Sequence, residues 1–384
     1  MTTALNRTGW GAAAVLLLSL GVIVFVRAQD RFGDCTTVAY LSQFDARLGG
    51  GTGALTDGWE CVVALEVPVE TPAGERRIRV IHHLLSDWAA GPGVDAATAD
   101  GVRASAAAMQ RLGDFALDNV TVLLMDDMGP GGEHENFGDI AAWTRRGGSD
   151  ECLVTLWLLG PAASADYAAG VIAHELMHCV QLASLSTAQM SSATPGGASG
   201  GGTWWMEGSA DWFSTLAVAN TPYIPGRVRR FDLDSPTVPL NMMTYDAFVF
   251  FAWLGGTRGP ESVLPFLRGM AESSDAPAQQ SAMRRVMPAA DWLQFAQDYL
   301  DQRIVDGQGV SIGSAPVGGD DWTFEDTRTE RITLEPFVLR RGYVNIDCGR
   351  WALHVTPAEH HAAKPTRGEW GPFPPVVDAL DGTL

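Results

Sequence analysis

Basic charge is in short supply in this chain. It carries 26 Lys and Arg against 45 Asp and Glu, a formal net charge of −19 over 384 residues, and one of those 26 is a lysine, Lys364. So acidic a surface repels phosphate backbones, which excludes nucleic acid as a partner and favours a soluble, self-repelling particle. The near-absence of lysine reads as coding-sequence composition, not function. Cysteine is also scarce, at five. There is no internal repeat and no EF-hand spacing. The length allows one large domain with small additions.

One long apolar run is present. Arg7 precedes an uncharged stretch from Trp10 to Val26, and Val26-Arg27-Ala28 offers small residues where a signal peptidase reads. Residues 1–28 are therefore a signal peptide cleaved after Ala28, or a retained anchor, since 17 residues fall slightly short of a full span. No lipobox cysteine follows. Either reading puts the remainder outside the cytoplasm: secreted or periplasmic in the first case, membrane-anchored and facing outward in the second. All five cysteines (Cys35, Cys61, Cys152, Cys179, Cys348) follow this segment, where disulfides persist. The expected pairs are Cys35–Cys61 and Cys152–Cys179, with Cys348 left over. Nothing around Cys179 suggests an activated thiolate.

The chemistry is carried by His174-Glu175-Leu176-Met177-His178. On an α-helix this spacing puts both imidazoles on one face, one turn apart, where they can share a metal ion. Glu175 can then reach a water on that ion, the arrangement for metal-assisted hydrolysis of an amide. Five residues alone are only suggestive, so the setting matters. Ser164 is a good N-cap and Asp166 sits in the first turn, where the helix dipole favours an anion. No proline interrupts Ala165 to Leu182. Tyr167, Val171, His174, His178 and Gln181 form one stripe; Ile172, Leu176, Cys179 and Ala183 form another. A helix apolar on most sides is a buried one.

Downstream, Trp204-Trp205-Met206-Glu207-Gly208-Ser209-Ala210-Asp211-Trp212 reads as the start of a second helix, to about Ala219. Glu207 can supply a third zinc ligand. Asp211, one turn on, can accept the outer N–H of a ligating His. HExxH followed by glutamate in an ExxxD frame resembles the gluzincin metallopeptidases, the superfamily of thermolysin and the aminopeptidase-N-like enzymes. Glu207 to Asp211 is similar to the thermolysin-type segment; Trp204 and Gly208 around Glu207 are similar to the aminopeptidase-type one. The resemblance covers roughly residues 76–305. It implies a mixed sheet and active-site helix, then a helical half, with the metal cleft between them. It also implies a tyrosine after the glutamate as oxyanion donor, and Tyr245 looks like that residue.

The predicted elements follow that order: a strand over 75–83, a helix over 96–115, strands over 120–125, 139–144 and 151–159, then the motif helix. Helices are expected over 204–219, 244–255, 260–272, 278–287 and 289–304. The segment Phe137 to Trp143 sits where an edge strand would receive substrate backbone. It lacks the Gly-x-Met-x-Asn pattern of aminopeptidases. The fold class is thus α+β: a zincin-like catalytic domain over 76–305, with small β-rich additions at both ends. These are residues 29–75, with Thr71-Pro72-Ala73-Gly74 as a turn, and 321–356, after a Gly-rich linker over 306–320. Residues 357–384 form a Pro-rich tail. Ser184 to Thr203, rich in Ser, Gly and Ala, reads as a flexible connection or a flap beside the cleft. The acidic loop Asp126 to Asp139 is either solvated or a structural Ca2+ site. His82, His83, His354, His360 and His361 read as surface or core residues.

These observations lead to an exported zinc peptidase acting on peptide or protein substrates. His174, His178 and Glu207 hold Zn2+, Glu175 is the general base, Asp211 orients a ligand and Tyr245 stabilises the oxyanion. Two alternatives stay open. One is an aminopeptidase on the same site, for which Glu133 and Glu135 are the weak candidates to hold a free amino terminus. The other is a non-catalytic, zinc-stabilised binding protein, disfavoured because a structural site has no use for Glu175 and closes with four ligands.

Overall fold

The computed structural model describes residues 31–34, 60–83, 92–125, 142–146, 151–157, 164–193, 202–316, 320–324 and 335–346. Six strands form one mixed sheet in the order β1-β2-β3-β4-β6-β5. They are β1 (Arg31–Asp34), β2 (Glu60–Thr71), β3 (Gly74–His83), β4 (Asn119–Met125), β5 (Ala142–Arg146) and β6 (Glu151–Trp157). β3, β4 and β6 run parallel; β1, β2 and β5 attach antiparallel. In β4, Val120 to Leu124 are buried without alternation, as a strand covered on both faces must be. β2 lies farther out and exposes Ala64, Glu66, Pro68 and Glu70 in alternation.

β2 pairs with β3 from Cys61↔His83 to Thr71↔Gly74, through the turn expected at 71–74. That corrects the division drawn at 75/76. The strand before the turn belongs to the same sheet as the strand after it, because the hairpin's backbone bonds cross the boundary.

Two helices lie against the sheet. α1 (Pro92–Met109) continues as a 3-10 turn, Gln110–Leu112, which stops at Gly113 with φ +72°. α2 (Ala165–Ser184) carries the motif. Ser164 caps it as expected, its side chain accepting a hydrogen bond from Tyr167 N at 3.1 Å. The two helices approach closely at Gly101, where a Cβ would lie 2.9 Å from Ala169 Cα. Cys152 of β6 and Cys179 of α2 form the expected disulfide, tying the sheet to the motif helix. Cys35, Cys348 and the Cys61 side chain lie outside the described residues, as do the apolar run at 10–26 and the tail. Among the described residues, no helix is long and apolar enough to cross a membrane.

The rest is helical: α3 (Thr187–Ala193), α4 (Thr203–Ala217), α5 (Ile224–Asp234), α6 (Phe248–Arg258), α7 (Val263–Arg268), α8 (Ala276–Val286) and α9 (Ala289–Leu300). α4 is buried on every side from Thr203 to Leu216. Trp204 packs among Phe250, Phe251 and Phe266, with ring centroids 5.7–6.1 Å apart. Three expectations need correction. The stretch 184–203 is not all connection, because α3 occupies most of its first half. The helix expected over 260–272 is shorter: a 3-10 turn at Pro260–Ser262, then α7. The linker expected at 306–320 is not a free spacer. Gly307 N donates to Thr215 Oγ1 and Ala315 N to Asp232, so 306–316 is fastened to α4 and α5. β7 (Asp320–Phe324) and β8 (Gly342–Ile346) form a separate parallel pair. Between them, Leu339 N donates to Ser235 O and Phe337 O accepts from Leu240 N.

Candidate metal centre

α2 and α4 cross so that three side chains converge. His174 Nε2 lies 3.0 Å from His178 Nε2 and 3.2 Å from Glu207 Oε2; His178 Nε2 lies 3.5 Å from the same oxygen. These three atoms form the cluster able to hold a metal ion among the described residues. His174 and Glu207 are buried and His178 nearly so.

The outer nitrogens decide the tautomers. His174 Nδ1 is 2.8 Å from Asp211 Oδ1, and a carboxylate can only accept, so Nδ1 carries the proton. His178 Nδ1 is 2.7 Å from Gln181 Oε1. Gln181 is held in that orientation because its amide nitrogen donates to Met206 O and Ser209 Oγ, at 2.9 and 2.8 Å. Both Nε2 atoms therefore present lone pairs to each other and to a carboxylate. Such a cluster demands a cation at its centre, whether protons or a metal ion.

The electrostatics agree. Burial opposes protonation of His174, but Asp211 and Glu207 outweigh it and raise its pKa to about 10. Burial likewise opposes protonation of His178, and Glu207 again prevails. Glu207 is pushed up by burial, yet the two imidazoles hold it well below the usual carboxylate range. Each group is poised to share positive charge with the others.

The spacing of the three atoms is compatible with zinc. Tetrahedral Zn2+ with ligand distances of about 2.0–2.1 Å separates neighbouring ligand atoms by roughly 3.3 Å. The observed 3.0, 3.2 and 3.5 Å bracket that value. Among the described residues the cluster has three members, the number a catalytic zinc site uses while keeping one position open.

Glu175, next in sequence to His174, is also buried, and its carboxylate Oε2 accepts from Thr144 Oγ1 of β5 at 2.5 Å. Asp211, 1% exposed, accepts a second bond from Arg227 Nε at 3.0 Å. Arg227 rides on α5, and its guanidinium lies 4.1 Å above the Tyr245 ring. Tyr245 is half-buried in a 3-10 turn, Tyr245–Ala247, rather than in the helix expected to begin there. Its ring centroid is 5.9 Å from that of His174. Gly208 permits the approach: a Cβ there would lie 2.9 Å from Ala247 C, so any side chain would push the Tyr245 turn off α4. Burial, then the Glu207 and Asp211 carboxylates, raise the Tyr245 phenol above its ordinary pKa and keep it protonated.

All six residues singled out in the sequence thus lie in one neighbourhood. The acidic loop with its candidate Ca2+ ligands, and Glu133 and Glu135, lie outside the described residues; the edge segment 137–143 is described only from Ala142. Three neighbours were given no role in the sequence: Gln181, Thr144 and Arg227. Gln181 carried a signal, three residues after His178 on the same stripe. Thr144 and Arg227 carried none, because only the packing of β5 and α5 brings them in.

No protein-family model matches this chain, and no curated protein matches it in sequence. Among solved structures it is similar to a mutant of the M1 zinc metallopeptidase from Deinococcus radiodurans, with a TM-score of 0.35 and 13% sequence identity. The match covers 64% of this chain and 53% of that one, so the chain spans about half of that protein. A likeness at this level carries no inference, and the chemistry rests on the geometry of the cluster.

Proposed function

We propose that this protein is a zinc-dependent peptidase in which Glu175 is the general base. The carrying observation is the convergence of two imidazole lone pairs and one carboxylate oxygen at 3.0–3.5 Å, with a further buried glutamate beside them. His174, His178 and Glu207 would hold the ion. When bound, zinc supplies Lewis-acid polarisation of a carbonyl and acidifies water.

The remaining work falls to the chain itself. Glu175 takes the proton of the attacking water and returns it to the leaving amine. Asp211 and Gln181 keep the Nδ1 protons in place, so both Nε2 atoms stay available. Tyr245, held protonated, donates to the developing oxyanion. The peptide lies extended against β5, the edge strand of the sheet among the described residues, so main-chain hydrogen bonds align the scissile bond. The reading places the protein outside the cytoplasm, and the buried Cys152–Cys179 disulfide supports that, since such bonds persist where the medium is oxidising.

The test is Glu175→Gln, with zinc content and digestion of casein measured on the same preparation, with and without chelator. The expected result is one zinc per chain and a loss of turnover on the order of 10²–10⁴-fold. Unchanged turnover in the zinc-loaded variant would falsify the assigned role.

A further inference from the structure

β5 is fastened to α2 at two points. Arg146 donates to Leu182 O near the carboxyl end of the helix, and Thr144 bonds Glu175 at its middle. The Thr144 hydroxyl lies 2.5 Å from Glu175 Oε2 and 3.1 Å from the Glu175 backbone oxygen. A hydroxyl has one proton to give. The shorter contact is the stronger of the two, so the proton points to Oε2. That leaves Oε1 as the oxygen to meet the proton of a water.

We propose that Thr144 is the positioning residue of the general base, its hydroxyl anchoring Glu175 Oε2 to the same edge strand that receives the peptide. The proposal rests on Glu175 being the base. A glutamate has three rotatable side-chain bonds, and a base must stand within about 3 Å of the proton it takes. A misplacement of about 1 Å costs on the order of a hundredfold in rate. Anchoring the base to β5 puts base and peptide backbone in one frame, so movement of the edge strand carries both. The Arg146 contact stiffens that frame from the other end.

The decisive variant is Thr144→Val, beside Thr144→Ser, Thr144→Ala and Glu175→Gln, each in the full-length zinc-loaded protein. Valine keeps the shape of threonine but puts a methyl where the hydroxyl was. A methyl carbon contacts an oxygen at about 3.3 Å, so Oε2 must retreat by about 0.8 Å from its 2.5 Å position. The expected result for Thr144→Val is a fall in kcat of about 30- to 100-fold, with KM within twofold, zinc content and melting temperature unchanged, and Glu175 in another rotamer in crystals of the variant. Thr144→Ser, which keeps the hydroxyl, should recover kcat to within about threefold.

A purely structural threonine would behave differently: its loss would lower the yield of folded, zinc-loaded protein and leave kcat per zinc intact. If Thr144→Val keeps kcat within threefold while Glu175→Gln is inactive, the positioning role is wrong and the base assignment stands. If Glu175→Gln is active, the base assignment falls and takes this proposal with it. Should Thr144→Val lose zinc or fold poorly, Thr144→Ala decides: a zinc-loaded alanine variant with normal kcat overturns the proposal, and a tenfold or greater loss upholds it.

Discussion

Replacing Asp211 by Asn changes one oxygen for an NH2 group and almost nothing in volume, yet it forces a choice on the cluster. Asp211 is 1% exposed and accepts two hydrogen bonds, from His174 Nδ1 at 2.8 Å and Arg227 Nε at 3.0 Å. Asparagine has one side-chain oxygen. If that oxygen turns to His174, the amide NH2 faces the Arg227 N–H, donor against donor. If it turns to Arg227, the NH2 faces His174 Nδ1, and the imidazole must move its proton to Nε2, the atom aimed at the cluster. The first choice loses a bond to a guanidinium that is 35% exposed and can turn to water, a cost of about 1 kcal/mol or less. The second removes a metal ligand outright, so the first should dominate in the loaded protein. Even then His174 loses the carboxylate that makes it a better electron donor. Loss of such a partner typically weakens metal binding 10- to 100-fold, or about 1.4–2.7 kcal/mol. Competition for zinc against a chromophoric chelator at fixed pH measures this directly, with thermal melting as the control for folding. A normally folded Asp211→Asn protein whose zinc Kd lies within twofold of the parent would refute the reasoning.

Three further outcomes are expected. Breaking the Cys152–Cys179 disulfide by Cys179→Ser with Cys152→Ser releases a link spanning 27 residues, which costs about 3.5 kcal/mol if loop entropy dominates; denaturant melts without added reductant, showing no loss of stability, would count against that. Zinc binding near pH 7 should release at least one proton, because Asp211 and Glu207 outweigh burial and raise the His174 pKa to about 10 in the metal-free protein, and the imidazolium's share of the count should disappear above pH 10. Calorimetry in buffers of different ionisation enthalpy reads the count. The same raised pKa sets a sign for the chelated protein. The charged His174 contributes its full stabilisation below its unfolded value of 6.5 and loses it as pH rises through about 10, so the melting temperature of the chelated protein should fall across that range.

The parts of this site legible in the sequence are those set by local periodicity. His174 and His178 share a face because a helix fixes the angle between them. Ser164 signals the start of that helix through the bond its oxygen offers to Tyr167 N. Glu207 and Asp211 share a face of α4 for the same reason. What a single sequence does not encode locally is how elements meet. α5 has no clear local signal, because Pro-Gly at 225–226 is a common chain-breaking pair; yet proline in the first turn of a helix costs nothing, since its missing N–H would have no partner there. Ile224, Val228 and Phe231, its buried positions, show helical spacing in retrospect. α3 was hidden in a polar, Ser-rich stretch, although Ser186 and Gln189 form a reciprocal cap, with Ser186 Oγ accepting from Gln189 N and Gln189 Oε1 from Ser186 N. Its signature, S-x-x-Q, is visible in the chain. The β5–α2 contact that brings Thr144 to Glu175 has no such signature, because it joins residues 31 apart through packing alone.

The segment 335–341 has a consequence for the order in which the site can be built. Asp232 and Ser235, on and just after α5, are gripped from later in the chain: Ala315 N and Tyr299 Oη bond Asp232, Leu339 N bonds Ser235 O, and Arg341 reaches both residues. α5 in turn carries Arg227, which backs Asp211 and so His174. A growing chain that has already produced both histidines still lacks the strap that steadies the helix behind them. At a synthesis rate of about 5–20 residues per second, that strap follows on the order of ten to thirty seconds later. A molecule interrupted before residue 335 would thus carry the three ligands with Asp211, Gln181 and Arg227 in place, but would lack the Leu339 and Arg341 contacts that steady α5 from behind.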